Sequence, residues 1–425
     1  MLFRHHSRLP FAPEQVLAWH ALPGAVERLT PPWGIPRILR RGAHTQRCEP
    51  DGEGGTRVFD EVEWEAPGVG GVNAMAAPVV ERMLERLFVF RERRLCNDLT
   101  LHGRWRNRPR LSIAITGAGG LIGSALRHFL ATGGHRVVSL VRTRDQARAK
   151  TDAVYWSPDR DEIDAEGLRG VDAVVHLAGE PLVQLPRWTA EKKRRILESR
   201  VRGTELIARA VAGLHDDGPK TLVSASAVGY YGDRGDVVLT EEANPGKGFL
   251  PGVVQAWEGA TRRAHGAGVR VVMLRFGPVI SPAGGMLDKM LPPFRMGIGG
   301  RVGSGRQYVS WLDLDDVTGI VLHAIMDKKL QGPVNVCAPH PVPNATFADV
   351  LGRVLGRPTL IPVPALVVQA ALGEMGRETL LAGQRAKPAR LLESGYSFLF
   401  EGIEDSLRFQ LGRTKQDRYR MGDTR

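Results

Sequence analysis

The stretch Ile113-Ala114-Ile115-Thr116-Gly117-Ala118-Gly119-Gly120-Leu121-Ile122-Gly123 decides the fold. A short apolar run ends at Thr116 and passes directly into a glycine turn, after which the pattern becomes that of an amphipathic helix to about residue 132. A helix that starts on a glycine turn presents unpaired backbone N–H groups at its positively polarised end, which suits a diphosphate. Side chains at Gly117, Gly120 or Gly123 would obstruct the turn, the approach of the ligand or the packing of helix on strand. The context therefore predicts a dinucleotide cradle built from Thr116, Gly117, Gly119, Gly120, Leu121, Ile122 and Gly123, with Leu177, Ala178 and Gly179 joining it from the end of a later strand.

Outward from this turn, strand-like and helix-like segments alternate. Strands are predicted near 111–116, 136–142, 172–177, 221–226 and 269–276, and helices near 121–132, 189–212 and 252–266. That alternation is the signature of an α/β, Rossmann-type doubly wound parallel sheet. The second strand runs into Arg142-Thr143-Arg144, where a carboxylate would bind the ribose 2′-hydroxyl of NAD and an arginine suits the 2′-phosphate of NADP. Arg142 and Arg144 make NADP(H) the expected cofactor and NAD(H) the less expected one.

The flanking regions differ in texture. Residues 1–106 mix a short helix opened by Ala12-Pro13-Glu14, an alternating strand from Thr56 to Trp64, and a long helix with the apolar stripe Val80, Met83, Leu84, Leu87 and Phe88. Asn107-Arg108-Pro109-Arg110 reads as a linker to the dinucleotide domain at 111–280. From 281 to 413 a smaller carboxy-terminal lobe is expected, with helices at Thr346–Leu355 and Ala365–Leu372, before a frayed tail at 414–425.

A chain of 425 residues exceeds the size at which one core usually stops growing, and 43% hydrophobic with 24% charged residues is ordinary for a folded protein. The apolar runs are too short for a membrane span, and Met1 to Pro10 carries no signal-peptide core, so a cytoplasmic protein is expected. Cys48, Cys96 and Cys337 have no paired spacing, which argues against a disulfide framework or a metal site. The excess of 58 Lys and Arg over 46 Asp and Glu gives +12, but it is dispersed and lacks a stacking platform of aromatics, so nucleic acid is not expected as a partner.

The residues resemble a known family, the atypical extended short-chain dehydrogenase/reductases described as NAD-dependent epimerase/dehydratase-like proteins of the YfcH type. The resemblance covers about 111–413 and rests on the glycine turn, His176-Leu-Ala-Gly-Glu180, Arg187-Trp188-Thr189, Ser199-Arg-Val-Arg-Gly-Thr204 and Ser224-Ala-Ser-Ala-Val-Gly-Tyr-Tyr-Gly232. Gly303-Ser-Gly-Arg-Gln307, Ser310-Trp311, Asp315-Asp316 and Gly332-Pro-Val-Asn335 extend it. The lobe from about Ala338 looks like the carboxy-terminal domain of unknown function that accompanies the family. Relatives commonly carry His where this chain has Asp313. The amino-terminal segment resembles a partial START-like (polyketide cyclase/lipid-transport) domain through Arg28-Leu-Thr-Pro-Pro-Trp33, Phe88-Val-Phe-Arg91 and Asn97-Asp98-Leu99, which implies an apolar ligand; it is short for that fold, with central strands expected to be missing between Arg41 and Arg57.

The wider superfamily implies a catalytic Asn, Ser, Tyr and Lys, in which Lys lies four residues after the proton-transferring Tyr. None of the six tyrosines here has Lys at that position, and the stretch where the pair should fall reads Phe249-Leu-Pro-Gly-Val-Val-Gln-Ala-Trp-Glu258. Ser226 matches the serine and Arg200 takes the asparagine's place. Ser226 is then either a substrate donor or a plain strand-end hydroxyl. Tyr230 or Tyr231 could supply the proton, Glu258 could act as a base, and Arg187, Arg200 or Gln307 could hold an anionic substrate; structural roles for each are the plainer alternative. Two readings follow for the whole: an NADP-dependent oxidoreductase or epimerase acting on an unidentified small carbonyl or sugar-like substrate, or an NADP(H)-binding module without turnover. A third is apolar-ligand binding by the amino-terminal segment.

Overall fold

A computed structural model describes residues 1–34, 41–65, 72–183 and 187–414. The described residues divide into two compact units, one made of Met1–Arg108 with Ala131–Gly134 and Leu407–Thr414, the other of Pro109–Leu130 and His135–Ser406. The tail expected beyond residue 414 lies outside the described residues.

In the first unit, strands β1 (Leu2–Leu9), β2 (Arg41–Pro50) and β3 (Thr56–Glu65) form an antiparallel sheet in the order β1-β3-β2. Helices α1 (Pro13–Ala21) and α2 (Ala25–Leu29) follow β1, and the 32-residue helix α3 (Val72–Gly103) closes the unit. The strand β2 occupies the region where the sequence predicted a gap; its alternating polar residues Thr45, Arg47 and Glu49 carry no apolar stripe to betray it. Phe3, Val62 and Trp64 pack against Val80, Leu84, Leu87 and Phe88, the stripe predicted for the helix apart from Met83, which is only partly buried and lies outside this cluster. The chain's end belongs here too: Phe409 stacks on Phe90 at 5.1 Å between ring centroids, and the guanidinium groups of Arg93 and Arg94 each lie 5.3 Å from its ring.

The second unit holds an eight-stranded sheet. Its strands in chain order are β4 (Ser112–Thr116), β5 (Arg136–Val141), β6 (Ala153–Ser157), β7 (Glu162–Ile163), β8 (Ala173–His176), β9 (Thr221–Ala227), β10 (Arg270–Phe276) and β11 (Gly332–Val336). Their spatial order is β11-β10-β9-β8-β4-β5-β6-β7, parallel throughout except for the terminal hairpin β6–β7. The strand order reverses between β4 and β8, which in such sheets is where a crevice opens for a ligand. Near-continuous burial of Ile113–Thr116, Ala173–His176 and Thr221–Ser226 is what a parallel strand covered on both faces requires.

Helices α4 (Leu121–Thr132), α5 (Arg144–Arg148), α6 (Ala190–Gly213), α7 (Phe249–Gly259) and α8 (Arg262–Gly266) make the crossovers. The single helix expected near 252–266 is thus two, broken where the Thr261 hydroxyl donates to the Glu258 carbonyl at 2.8 Å. The remaining α-helices are α9 (Gly285–Arg295), α10 (Leu314–Met326), α11 (Asn344–Leu355), α12 (Ala365–Leu372), α13 (Glu374–Thr379), α14 (Ala389–Glu393) and α15 (Ile403–Gln410). Asp313 caps α10 by accepting from the Asp315 N–H at 2.8 Å, and it receives the Ser406 hydroxyl at 2.5 Å, which gives the departure from the family's His a structural role.

Two motif fragments of the first unit meet in its interior. The Arg28 Nε donates to Asp98 at 2.8 Å, and both side chains are buried. Removing one partner strands the other in a medium that cannot solvate it. Asp98→Ala is therefore expected to destabilise this unit by about 3–5 kcal/mol, read as an earlier transition in urea unfolding followed by tryptophan fluorescence.

Candidate functional site

The glycine turn has the geometry its sequence predicts. Gly117 sits at φ +70°, and a Cβ there would come within 3.0 Å of the Ala178 nitrogen. A Cβ on Gly123 would meet the Gly117 carbonyl oxygen at 2.1 Å, so α4 can approach the turn only as glycine. Gly119 and Gly120 are exposed, and a Cβ on Gly119 would meet nothing within 4 Å. The first N–H groups of α4 have no acceptor within their own helix and face the open side of this turn. Residues and cradle therefore fit a diphosphate.

Thr116 has a different part from its glycine neighbours. It is fully buried, its hydroxyl accepts from the N–H groups of Leu177 at 3.0 Å and Ala178 at 3.2 Å, and the hydroxyl hydrogen is left to donate to His176 Nδ1 at 2.8 Å. Thr116 thus ties the end of β4 to the end of β8 and sets the two loops that shape the cradle; it does not face a ligand. Burial pulls the His176 pKa down to about 4, so the ring is neutral with its proton on Nε2.

Beside the turn lies a cleft of about 350 Å³ lined by Gly117, Gly119, Arg127, Arg142, Lys150 and Trp156, among others. Arg142 bonds Asp159 at 2.7 Å across solvent-exposed positions. Arg127 has its Nε buried without a hydrogen-bond partner among the described residues, while its Nη2 lies 3.1 Å from His128 Nε2. Arg127 and Lys150 carry no motif of their own, yet Arg127 is four residues past Gly123 and so shares its helical face. Arg144 is placed elsewhere: it bonds Glu162 at 2.9 Å and covers the Tyr155 ring at 4.4 Å, lining a separate groove of about 570 Å³ with Arg148, Asp161 and Arg209. Tyr155 and Trp156 are consecutive on β6 and point to opposite faces, which separates the two sites.

At the end of β9 the candidate catalytic groups meet in one buried network. The Ser226 hydroxyl donates to Glu258 Oε1 at 2.6 Å, and Arg275 grips the same carboxylate through Nε at 2.8 Å and Nη2 at 2.9 Å. Burial works against the Arg275 charge, but the Glu258 hydrogen bonds outweigh it and its pKa is raised. Arg275 also donates to the Tyr231 hydroxyl at 3.0 Å, which in turn donates to Asn335 Oδ1 at 2.7 Å. Tyr231 has no exposed surface, and burial pushes its pKa up to about 12. The Glu258 carboxylate proposed as a base is therefore already bound by Ser226 and Arg275, and Tyr231 offers no proton to a ligand. Tyr230, half-buried, lies flat against Arg275, with the guanidinium 3.6 Å from its ring centroid, and its hydroxyl makes no hydrogen bond among the described residues.

The proposed anion holders are also engaged. Arg187 reaches the carbonyl of Ala371 at 3.0 Å, and Gln307 donates to the carbonyls of Val302 at 2.9 Å and Leu380 at 3.0 Å. Arg200 is buried, donates through Nη1 to the carbonyls of Glu180 and Ile196, both at 3.0 Å, and stacks on Trp257 at 5.0 Å; burial lowers its pKa to about 10. A Cβ on Gly179 would lie 3.5 Å from its guanidinium carbon, so Arg200 borders the loop that follows β8.

This arrangement matches a family model. Residues 113–337, just over half of the chain, fit the NAD dependent epimerase/dehydratase family. The chain belongs to that family. Residues 363–410 of this epimerase-family chain match a domain of unknown function, DUF1731. An epimerase family protein of Mycobacterium bovis is 45% identical over 295 residues, covering 69% of this chain and 96% of that protein. A crystal structure described as the nucleoside-diphosphate sugar epimerase from Corynebacterium glutamicum has 32% identity and a TM-score of 0.78, covering 97% of this chain and 90% of that one, so the likeness takes in the first unit as well. The human epimerase family protein SDR39U1, solved with NADPH, has 34% identity and a TM-score of 0.64 over 70% of this chain and 98% of its own.

The burial of His176 makes stability depend on pH. His176 is held near pKa 4 in the fold and returns to about 6.5 when unfolded, so the unfolded state takes up a proton first. The contribution is complete above pH 6.5 and falls away between 6.5 and 4, and buried His135, also held at about 4, acts in the same direction. Lowering pH from 6.5 to 5 is expected to cost up to about 2 kcal/mol for each of the two rings. Thermal melts of His176→Gln should show a smaller drop over this window than the parent; an identical drop would place the titration elsewhere.

Proposed function

We propose that the chain is an NADP(H)-dependent oxidoreductase or epimerase of the YfcH type, acting on a small carbonyl or sugar-like substrate, with Tyr230 in place of the missing Tyr/Lys pair as the proton-transferring group. The observation that carries this reading is the Tyr230–Arg275 contact: it places a half-buried phenol at the carboxyl edge of the sheet, where such folds bind their ligands. Since Glu258 balances the Arg275 charge, the contact acts on Tyr230 by position more than by field. NADP(H), when bound, would supply or take up hydride. Gly117, Gly119 and Gly120 would hold its diphosphate, with Leu121, Ile122 and Gly123 at the helix start, while Ala178 and its neighbours Leu177 and Gly179 would form the opposite wall.

The cationic side chains at the cleft favour NADP(H) over NAD(H). Arg142, Arg127 and Lys150 surround the end of the cleft where a ribose 2′-phosphate would lie, and no carboxylate lines it. Arg142→Ala is expected to weaken NADPH by about 1.5–3 kcal/mol and leave NADH nearly unchanged, measured by calorimetric titration. Equal losses for both dinucleotides would remove Arg142 from the phosphate site.

A second reading, NADP(H) binding without turnover, is favoured by the saturation of Ser226, Glu258, Arg275 and Tyr231 by one another. Binding of an apolar ligand by the first unit as a partial START-like domain draws support only from the sheet-and-long-helix arrangement. The chemistry separates the first two. In NADPH oxidation against a panel of aldehydes, ketones and nucleotide sugars, Tyr230→Phe is expected to lose a factor of 10²–10⁴ in kcat, as removal of a general acid does, with NADPH affinity intact. Tyr231→Phe should lower the melting temperature and change kcat far less. Full activity in Tyr230→Phe would sink the tyrosine assignment, and no turnover on any substrate would favour the binding reading.

A further inference from the structure

Large apolar side chains stand in solvent at one place in the second unit. Met296 and Ile298 follow α9, Leu360 and Ile361 follow α11, and Leu366 and Val367 lie on α12; Leu360 is 85% exposed, Leu366 78% and Met296 67%. The backbone brings these segments side by side. Val302 bridges to Val363, the Gly303 N–H donates to the Val363 carbonyl at 2.8 Å, and the Val363 N–H donates to the Arg301 carbonyl at 2.8 Å. A Cβ on Gly297 would touch Pro358 at 3.7 Å. On α12, whose eight residues are apolar except Gln369, Val368 is the buried one. A soluble surface seldom keeps so much hydrocarbon in one place unless something covers it.

The charge around this face is mostly basic, with the exposed Asp349 carboxylate, which accepts from the Thr359 hydroxyl at 3.1 Å, at its edge. Arg295, Arg301, Arg306, Arg357 and Arg377 are exposed and make no side-chain ion pair among the described residues. Neither 295–306 nor 357–373 contains an Asp or Glu. A second copy of the chain meeting this face across a two-fold axis would set arginine against arginine, which disfavours a symmetric dimer. An added peptide strand finds little to pair with, because Pro358, Pro362 and Pro364 have no N–H and that of Val363 is already used. The apolar part is wholly aliphatic and lacks the Trp and Tyr anchors that dominate protein interfaces.

We propose that this face docks on an anionic lipid bilayer, its aliphatic tips entering the headgroup layer and its arginines meeting lipid phosphates. The docking elements are fastened to the walls of the strand-end site: Lys193 bonds Glu374 at 2.9 Å, and the Glu378 carboxylate accepts from the N–H groups of Phe249 at 2.9 Å and Leu250 at 2.7 Å at the start of α7. Docking therefore holds that wall at the bilayer surface.

Flotation of the full chain with vesicles tests it. Binding is expected to vesicles of 70% phosphatidylcholine and 30% phosphatidylglycerol, not to phosphatidylcholine alone, and to weaken as salt rises. Arg301→Glu and Arg357→Glu should each lower the affinity about fivefold or more, and Leu366→Glu with Val367→Glu should abolish it, while NADPH affinity and melting temperature stay those of the parent. The proposal is overturned if the parent ignores anionic vesicles, if the variants bind as it does, or if light scattering shows the parent as a dimer that the Leu366→Glu variant splits. Retention on poly-glutamate without vesicle binding would also overturn it, in favour of an acidic protein partner.

Discussion

The structure depends on a contact that allows no side chain. Gly123 passes so close to the Gly117 carbonyl that a single methyl carbon would lie 2.1 Å from its oxygen. That approach sets the angle at which α4 leaves β4 and aims its first N–H groups into the crevice between β4 and β8. The Thr116 hydroxyl fixes the other side of the crevice by accepting from two successive amides of the chain after β8. Since Thr116 is fully buried and His176 takes its hydroxyl hydrogen, the cradle is held from below by neutral hydrogen bonds, and no charge need be introduced under a ligand that brings its own.

The carboxyl end of β9 shows the opposite strategy. There the side chains that a dehydrogenase would use are drawn into a charged, closed network. Glu258 binds Arg275 through two oxygens, and Ser226, Tyr231 and Asn335 complete it, so most donors and acceptors are satisfied within the protein. The Asn335 amide further donates to the carbonyls of Leu239 at 3.2 Å and Lys387 at 2.9 Å. Five distant segments are thereby tied to one arginine. Such a network stabilises only while it is complete, because each removed partner leaves a buried group unpaired. Tyr230 lies on its rim, positioned by Arg275 without being consumed by it.

Local patterns in the sequence foretold the parallel sheet, because buried strands and the glycine turn are written in neighbouring residues. The strands expected near 221–226 and 269–276 appear as Thr221–Ala227 and Arg270–Phe276. What depends on long-range placement was not legible. Ala153-Val-Tyr-Trp-Ser157 carries no alternation, since both of its faces are covered, and it passed unread as a strand. Arg142 and Arg144 look equivalent by composition, yet one ends at the cleft and the other begins α5 and turns to Glu162. The partnership of Arg275 with Glu258 spans 17 residues and that of Tyr231 with Asn335 spans 104, distances over which no periodicity operates.

The interior of the first unit narrows what a ligand there could be. In β1 and β3 the residues facing α3 include Phe3, Val62 and Trp64, but also His5 and Asp60, which pair directly across the strands. Gln46 reaches the same Asp60 carboxylate at 3.1 Å, and His44 bonds it at 2.7 Å. His5, although buried, is pushed up to about 9: burial disfavours its charge, and the hydrogen bond with Glu85 at 3.3 Å and the Glu92 carboxylate 3.9 Å away, both on α3, overcome that penalty. An imidazolium facing two carboxylates is a poor lining for hydrocarbon, since a lipid chain would displace water without offering these groups a partner. The polar residues between this sheet and its helix therefore argue against a lipid-lined interior.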